Sequence, residues 1–215
     1  RFVGAIIMSH GDDQGLILPP RLAPVQIVIV PIYKNDDDRT KVMNVVRQLE
    51  KDLSQFRVKV DDRDNLTPGF KFNDWEMRGV PLRIEIGPRD VDNQTVVVAQ
   101  RDIPGKSGKL FLSIDNLADQ LENILNDFHT RLLKKATDFR DSHIFEPANY
   151  EEFQEFVQKG WAFAYWCGDA ACETSIKNET KATTRCRPLN QEKTNGNCIY
   201  CGKTAEYKTY FAKAY

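Results

Sequence analysis

Val25-Gln26-Ile27-Val28-Ile29-Val30-Pro31-Ile32 is a run of apolar, mostly β-branched residues broken only by Gln26. A strand with water on one face alternates apolar and polar positions. A near-continuous apolar run is instead the pattern of a strand buried on both faces, inside a sheet covered by helices. The residues downstream agree. Asn35 to Asp38 supplies an acidic helix start, and Val42, Val45, Val46, Leu49 and Leu53 then recur at helical spacing on one face. A second strand is predicted from Arg57 to Val60. Thr67 reads as a helix N-cap with Pro68 in the first helical position, and Gly79 closes that short helix.

Strands from Pro81 to Ile86 and from Thr95 to Gln100 come next, separated by a polar turn around Gly87-Pro88-Arg89-Asp90. A short strand from Lys109 to Leu112 leads into a long helix from about Asp115 to His143, with Leu117, Leu121, Ile124, Leu125, Phe128, Leu132 and Leu133 on its apolar face. The order β-α-β-α-β-β-β-α predicts an α/β domain: a mixed, mostly parallel sheet with flanking helices. Upstream, Phe2 to Met8 reads as an apolar strand, then a connector punctuated by Gly11-Asp12-Asp13 and Pro19-Pro20. Downstream, Phe145-Glu146-Pro147 marks a boundary. Beyond it, an amphipathic helix (Tyr150, Phe153, Phe156, Val157), an aromatic strand from Trp161 to Trp166 and a polar loop from Glu173 to Asn197 compose a small α+β domain. The predicted divisions are 1–24, 25–144 and 145–215.

The chain has 215 residues, 41% hydrophobic and 28% charged, the balance of a soluble globular protein. Its longest apolar runs are too short to span a bilayer, and no signal peptide is expected ahead of the first strand. A chain opening on Arg1, at the edge of an apolar strand, is expected to be a fragment of something longer. The formal net charge of −1 counts against a nonspecific phosphate binder, but not against a protein that reads a few bases with a few side chains. All five cysteines lie between Cys167 and Cys201. An odd number so clustered points to a metal site in a reducing compartment more than to a disulfide framework.

Cys167-Gly168-Asp169-Ala170-Ala171-Cys172 and Cys198-Ile199-Tyr200-Cys201-Gly202 form C-x₄-C and C-x₂-C pairs. Together they can supply the four thiolates of a tetrahedral zinc site, and glycine after Cys167 and after Cys201 suits a knuckle. Such a site is coordinatively closed, hence structural, and can contribute on the order of 10 kcal/mol of apparent binding energy to a small fold. The competing reading is four free cysteines in a small core. Cys186 has no close partner and reads as a packing or surface thiol.

Several stretches resemble prolyl-tRNA synthetases. Arg1-Phe2-Val3-Gly4-Ala5-Ile6-Ile7-Met8-Ser9-His10-Gly11-Asp12-Asp13, continuing through Gly15-Leu16-Ile17-Leu18-Pro19-Pro20-Arg21-Leu22-Ala23-Pro24, resembles motif 3 of class II synthetases as this family carries it. Asp61-Asp62-Arg63, Thr67-Pro68-Gly69-Phe70-Lys71-Phe72, Trp75-Glu76-Met77-Arg78-Gly79-Val80-Pro81-Leu82-Arg83 and Gly87-Pro88-Arg89-Asp90 resemble its anticodon-binding domain. The cysteine pairs, Ala182-Thr183-Thr184-Arg185 and the terminal Phe211-Ala212-Lys213-Ala214-Tyr215 resemble the C-terminal appendix typical of the archaeal and eukaryotic-like enzyme.

The resemblance implies the end of a class II catalytic domain over 1–24, an anticodon-binding domain over 25–144 and a zinc-binding domain over 145–215. It implies an anticodon whose second and third bases are guanine, read by Phe72, Glu76, Arg83, Arg89, Asp90 and Lys106. An aromatic, two carboxylates and three cations suit guanine's edges and an unstacked loop base. Each has a plainer alternative: Phe72 as core, Glu76 and Arg83 as an ordinary ion pair, Arg89 and Asp90 as solvated turn residues. Arg1 matches the motif 3 arginine that contacts ATP, and the terminal Tyr215 is expected to turn back toward the catalytic domain.

For the parent, the resemblance implies a cytoplasmic, homodimeric, non-membrane ligase using proline, ATP, Mg²⁺ and tRNA-Pro; motifs 1 and 2 are absent here, so the segment alone is expected to be inactive. The rivals are a stand-alone anticodon-type module, a class II synthetase for histidine, threonine or glycine, and a zinc-ribbon protein without an RNA role.

Overall fold

The structure, a computed structural model, describes residues 1–213. It opens on a helix, α1 (Phe2–His10), where the apolar run predicts a strand. Among the described residues no strand lies beside this segment, so an extended chain would leave its N–H and C=O groups unpaired; a helix satisfies them internally. None of the α1 residues is buried.

The connector then packs against the backbone around Met77 and Gly79. Leu16 and Leu18 donate backbone hydrogen bonds to the carbonyls of Met77 and Gly79, at 3.0 and 3.1 Å. This close approach requires glycine on both sides. Gly15 (φ +128°) lies against the Met77 backbone and Gly79 (φ +73°) against Leu16. Arg101, nearly enclosed, grips the carboxylate of Asp12 with both terminal nitrogens, at 2.9 and 2.5 Å.

Next come β1 (Ile27–Pro31), α2 (Asp36–Asp52), β2 (Val58–Val60), α3 (Pro68–Met77), β3 (Leu82–Ile86), α4 (Pro88–Asp92), β4 (Thr95–Gln100), a 3₁₀ turn (Gly105–Gly108), β5 (Lys109–Ser113) and α5 (Leu117–Ser142). The Thr67 cap is the one read from sequence: it accepts from the Phe70 N–H, with Pro68 at the first turn of α3, and at the acidic start of α2 Asn35 likewise accepts from the Asp38 N–H. The five strands form one mixed sheet, in the order β2-β1-β3-β4-β5.

β1 runs parallel to β2 and β3, whereas β3–β4 and β4–β5 are antiparallel. Parallel pairing therefore does not predominate. Helices α2 and α3 are crossovers long enough to return the chain in the same direction; the links after β3 and β4 are too short for that. The first of these links is not the expected polar turn but the helix α4. Its carboxylate Asp90 accepts the Gly87 N–H at 2.8 Å.

All five residues of β1 are buried, as the opening run requires. Ile27 and Ile29 face a core made with α2, α5 and the even positions of β3 and β4. Val28 and Val30 face the other way, against Trp75 and Val80, with Phe72 alongside. Contact density divides the chain into Arg1–Ala136 and Thr137–Tyr215, a division that falls inside α5.

The second unit contains β6 (Ile144–Phe145), α6 (Tyr150–Lys159), β7 (Trp161–Tyr165), α7 (Ala170–Thr180), β8 (Ala182–Cys186), β9 (Gly196–Asn197), β10 (Thr204–Ala205) and β11 (Lys208–Lys213). Its main sheet has the order β6-β7-β11-β8 over a core of Phe153, Val157, Ala162, Ala164, Ile176, Ala182 and Phe211. The expected loop from 173 onward is instead most of α7 followed by β8. Asp169 caps the helix by accepting the Ala171 N–H, and Cys172, Ile176 and Thr180 form its narrow buried face. Glu173 then ties the helix to β8 by accepting from the Thr184 N–H at 3.2 Å and from its hydroxyl.

In the first unit, Asp61 anchors α3 to the end of β2. It is 2% exposed. Its carboxylate accepts from Trp75 Nε1 at 2.7 Å and from Arg63 Nε and Nη2 at 2.8 and 2.7 Å, and its carbonyl accepts from Lys71 Nζ at 3.1 Å. Burial pushes the carboxyl up, but the hydrogen bonds from Arg63 and Trp75 outweigh it and hold the group at about 2. Because the folded value lies below the unfolded one of about 3.9, the stabilisation is complete above about pH 4 and disappears as pH falls toward about 2. Asp61→Asn should lose about 2 kcal/mol at pH 7 and should flatten that acid limb, as read from urea midpoints across pH.

Candidate functional site

β3 carries two charged residues, Arg83 and Glu85, in an otherwise apolar strand. Strand alternation puts both on the α3 face of the sheet, opposite Leu82, Ile84 and Ile86. Arg83 is 8% exposed. Its Nη1 donates to Glu76 Oε1 at 2.6 Å, and its Nε and Nη2 donate to Glu85 Oε1 at 3.1 and 3.0 Å. The guanidinium carbon lies 4.1 Å from the centroid of the Phe72 ring. From β5, Lys109 Nζ donates to both oxygens of Glu85, at 3.0 and 2.8 Å, and sits 5.8 Å from the same ring. The result is a charge-balanced group of two cations and two carboxylates against one aromatic face.

Three of the six expected reading residues, Phe72, Glu76 and Arg83, are thus brought into direct contact. Glu76 and Arg83 do form an ion pair, but one embedded in a larger network. Arg89 and Asp90 lie on α4, just beyond the C-terminal end of β3. Arg89 is exposed, while one oxygen of Asp90 is engaged by the Gly87 N–H. Lys106 is exposed on the 3₁₀ turn, and among the described residues no hydrogen bond or ion pair joins it or Arg89 to the group. The lysine that does join is Lys109. It and Glu85 are absent from the sequence-derived set, although two charges two residues apart in an apolar strand are a usable signal for a polar site on one sheet face.

In the second unit, Cys167, Cys172, Cys198 and Cys201 come together, with all four sulfurs within 4.8 Å of one another. Cys167 follows β7, Cys172 sits in the first turn of α7, and the other two belong to the β9–β10 hairpin. Gly168 (φ +82°) and Gly202 (φ +71°) both occupy the left-handed region, which is why glycine follows a cysteine in each pair. The Gly202 N–H closes the hairpin turn on the Cys198 carbonyl at 3.0 Å.

The Cys167 sulfur lies 3.6 Å from that of Cys172 and 3.8 Å from that of Cys201. Four sulfurs at about 2.3 Å from a central cation would be about 3.8 Å apart, close to these two separations, so the cluster could hold a metal ion. The Lys203 N–H donates to Cys201 and brings its thiol down to about 7, while burial pushes Cys172 up. A cation would therefore be needed to hold the whole set as thiolates at neutral pH. Cys186 is exposed and lies outside the cluster. Arg1 is exposed ahead of α1, and Tyr215 lies outside the described residues.

Residues 26–124 match a family model described as an anticodon binding domain, and residues 150–215 one described as the C-terminal region of prolyl-tRNA synthetase. Among curated proteins, the proline–tRNA ligase of Chloroflexus aurantiacus is 50% identical over 216 residues, covering 100% of this chain and 45% of that protein. That of Roseiflexus sp. is 47% identical over 216 residues, with the same coverage of 100% and 45%. The chloroplastic/mitochondrial proline–tRNA ligase of Arabidopsis thaliana is 47% identical over 221 residues, covering 100% of this chain and 41% of that protein. The chain spans less than half the length of these curated relatives.

Glu85 is the shared acceptor of two cations, one of them buried. Glu85→Ala should destabilise the chain by about 3 kcal/mol or more, because it leaves Arg83 enclosed with only part of its partners. Lys106→Ala, on an exposed turn, should stay within about 0.5 kcal/mol of the parent. Denaturant midpoints of the two variants measure the contrast.

Proposed function

We propose, for a chain that belongs to the prolyl-tRNA synthetase family, that it reads the anticodon of tRNA-Pro on behalf of an ATP-dependent proline–tRNA ligase. The observation that carries the reading is the Phe72–Glu76–Arg83–Glu85–Lys109 group, built on one sheet face inside the segment that matches an anticodon binding domain. Guanine offers acceptors at O6 and N7 and donors at N1 and N2. Arginine or lysine satisfies the first pair, and a carboxylate the second. In the group, Arg83 spends three N–H groups on its two glutamates, and its remaining donors and those of Lys109 are the ones to meet an acceptor edge. Glu76 is the more exposed carboxylate and is assigned to the donor edge. The Arg83–Phe72 stack presents a plane that an unstacked base can extend.

Arg89 and Asp90, beyond the C-terminal end of β3, and Lys106, on the 3₁₀ turn, are assigned to the same anticodon-reading set. We divide the chain into the end of a catalytic domain (1–24), the anticodon-binding domain (25–144) and a zinc-binding domain (145–215). The cysteine cluster is assigned a structural Zn²⁺. With four protein thiolates there is no open coordination position, so the ion stabilises and does not catalyse. Activation of proline with ATP and Mg²⁺ belongs to the whole ligase. Arg1 is the residue assigned to it here, at the ATP phosphates. The whole ligase is placed in the cytoplasm as a homodimer. No helix in the described residues is long and apolar enough to cross a membrane.

Binding of this chain to a tRNA-Pro anticodon stem-loop, and to versions with each guanine changed to adenine, tests the reading. Each change should weaken binding by about 1–3 kcal/mol, and Arg83→Lys, which keeps charge but loses the planar fork, should shrink that penalty. Equal, salt-sensitive binding to every version would sink it. For the metal, the purified chain should carry one zinc, lost together with thermal stability in Cys172→Ser and Cys198→Ser but retained in Cys186→Ser. A metal-free chain with an unchanged melting midpoint would remove zinc from the account.

A further inference from the structure

The α3 face of the five-stranded sheet is only half covered. Val28 and Val30 of β1 pack against Trp75 and Val80, and Phe72 extends that cover to Arg83 on β3. Beyond β3 the register places Val97 and Ala99 of β4, then Lys109 and Phe111 of β5, on the same face: Arg83 pairs with Ala99 and Ala99 with Lys109, while Glu85 pairs with Val97 and Val97 with Phe111. The alternate residues of β5, Leu110 and Leu112, pack against the opposite core. On the open side strand alternation calls for polar side chains, yet Phe111 stands there 76% exposed.

A single exposed phenylalanine needs no explanation by itself. This one is placed in a particular way. It stands two strands across from Glu85, about 10 Å, and one alternation, about 7 Å, along β5 from Lys109. The floor between it and the charged group consists of small or short side chains, Val97 and Ala99. An aromatic face, a flat apolar floor and a lysine on its rim make a stacking platform continuous with the charged group.

We infer that Phe111 is a stacking platform for a third unstacked anticodon-loop nucleotide, one that flanks the two guanines. The inference rests on the anticodon reading proposed for the Arg83 group. The occupant is a base of single-stranded RNA, because the platform adjoins the donors that Arg83 and Lys109 keep after their bonds to Glu76 and Glu85, and because aromatic–base stacking on an open sheet is how splayed nucleotides are held. The platform recognises a π-face and not an edge. It therefore adds affinity without choosing among bases, whereas the Arg83 group supplies the choice.

The test uses the 215-residue chain and tRNA-Pro anticodon stem-loops carrying 2-aminopurine at either loop position flanking the guanine pair. Wild type should quench the fluorophore at one of the two positions. Phe111→Ala should abolish that quenching and weaken binding about tenfold or more, while preserving the wild-type ratio of affinities for guanine and adenine loops. Phe111→Trp should restore both quenching and affinity. Because the ring is exposed, the melting midpoint of Phe111→Ala should match that of wild type, which separates lost stacking from lost folding. Wild-type affinity and quenching in Phe111→Ala, with guanine preference intact, would overturn the platform and leave the anticodon reading standing. Failure of the wild-type chain to prefer guanine would overturn both.

Discussion

β1 is enclosed on both faces, and that constraint organises the rest of the first unit. One face must be covered by α2 and α5, the other by α3, and covering both with helices obliges the first three strands to run parallel through crossovers. Once α3 is spent on β1 and the near side of β3, no further helix among the described residues of the first unit covers β4 and β5 from that side. The antiparallel half of the sheet is therefore open by construction. A face that is buried at one edge and bare at the other is suited to receive a partner, since the buried part gives a rigid base and the open part gives access.

The charged group sits at the border between these two regimes, and its internal balance follows from where it sits. Enclosing Arg83 without partners would cost several kcal/mol, so the fold supplies Glu76 from α3 and Glu85 from its own strand. Glu85 is itself enclosed and is neutralised a second time by Lys109. Each cation is held by a carboxylate that another element positions, which fixes the donors in place before any ligand arrives. Such preorganisation lowers the ordering cost of binding, and the planar guanidinium fork keeps donors to spare after its internal bonds are made.

What could be read ahead of the structure depended on how local the deciding physics is. The burial of β1, the acidic start of α2, the Thr67 cap and the apolar face of α5 are legible because each is set by residues within one or two turns. The cysteine pairs are legible because spacing and the following glycines encode the knuckles directly. Other features depend on distant partners. The strand expected at Phe2–Met8 needs neighbouring strands, and without them beside it the segment is helical. α7 shows only Cys172, Ile176 and Thr180 to the core, too narrow a stripe in a polar segment to announce a helix. Lys106 and Lys109 are indistinguishable in composition. The 3₁₀ turn absorbs the intervening residues and brings the second, not the first, to Glu85.

The two units illustrate different ways of making a small fold hold a defined shape. In the first, a sheet covered by the long helices α2 and α5 on one face and by α3 on part of the other supplies enough apolar burial to tolerate a buried ionic network. In the second, the core is limited to a few aromatic and small aliphatic residues, and the hairpin that carries Cys198 and Cys201 has only two short strands of its own. A two-stranded hairpin is marginal in water, so its position has to come from elsewhere. The Ile199 N–H bonds to the Tyr165 carbonyl at 3.0 Å and the Tyr200 hydroxyl donates to Glu179 at 2.9 Å, but neither bond pins the cysteine-bearing turn to the start of α7. Four sulfurs drawn from those three places onto one point would do so. The cysteine cluster is then to the second unit what Glu85 is to the first: the group on which otherwise separate elements converge.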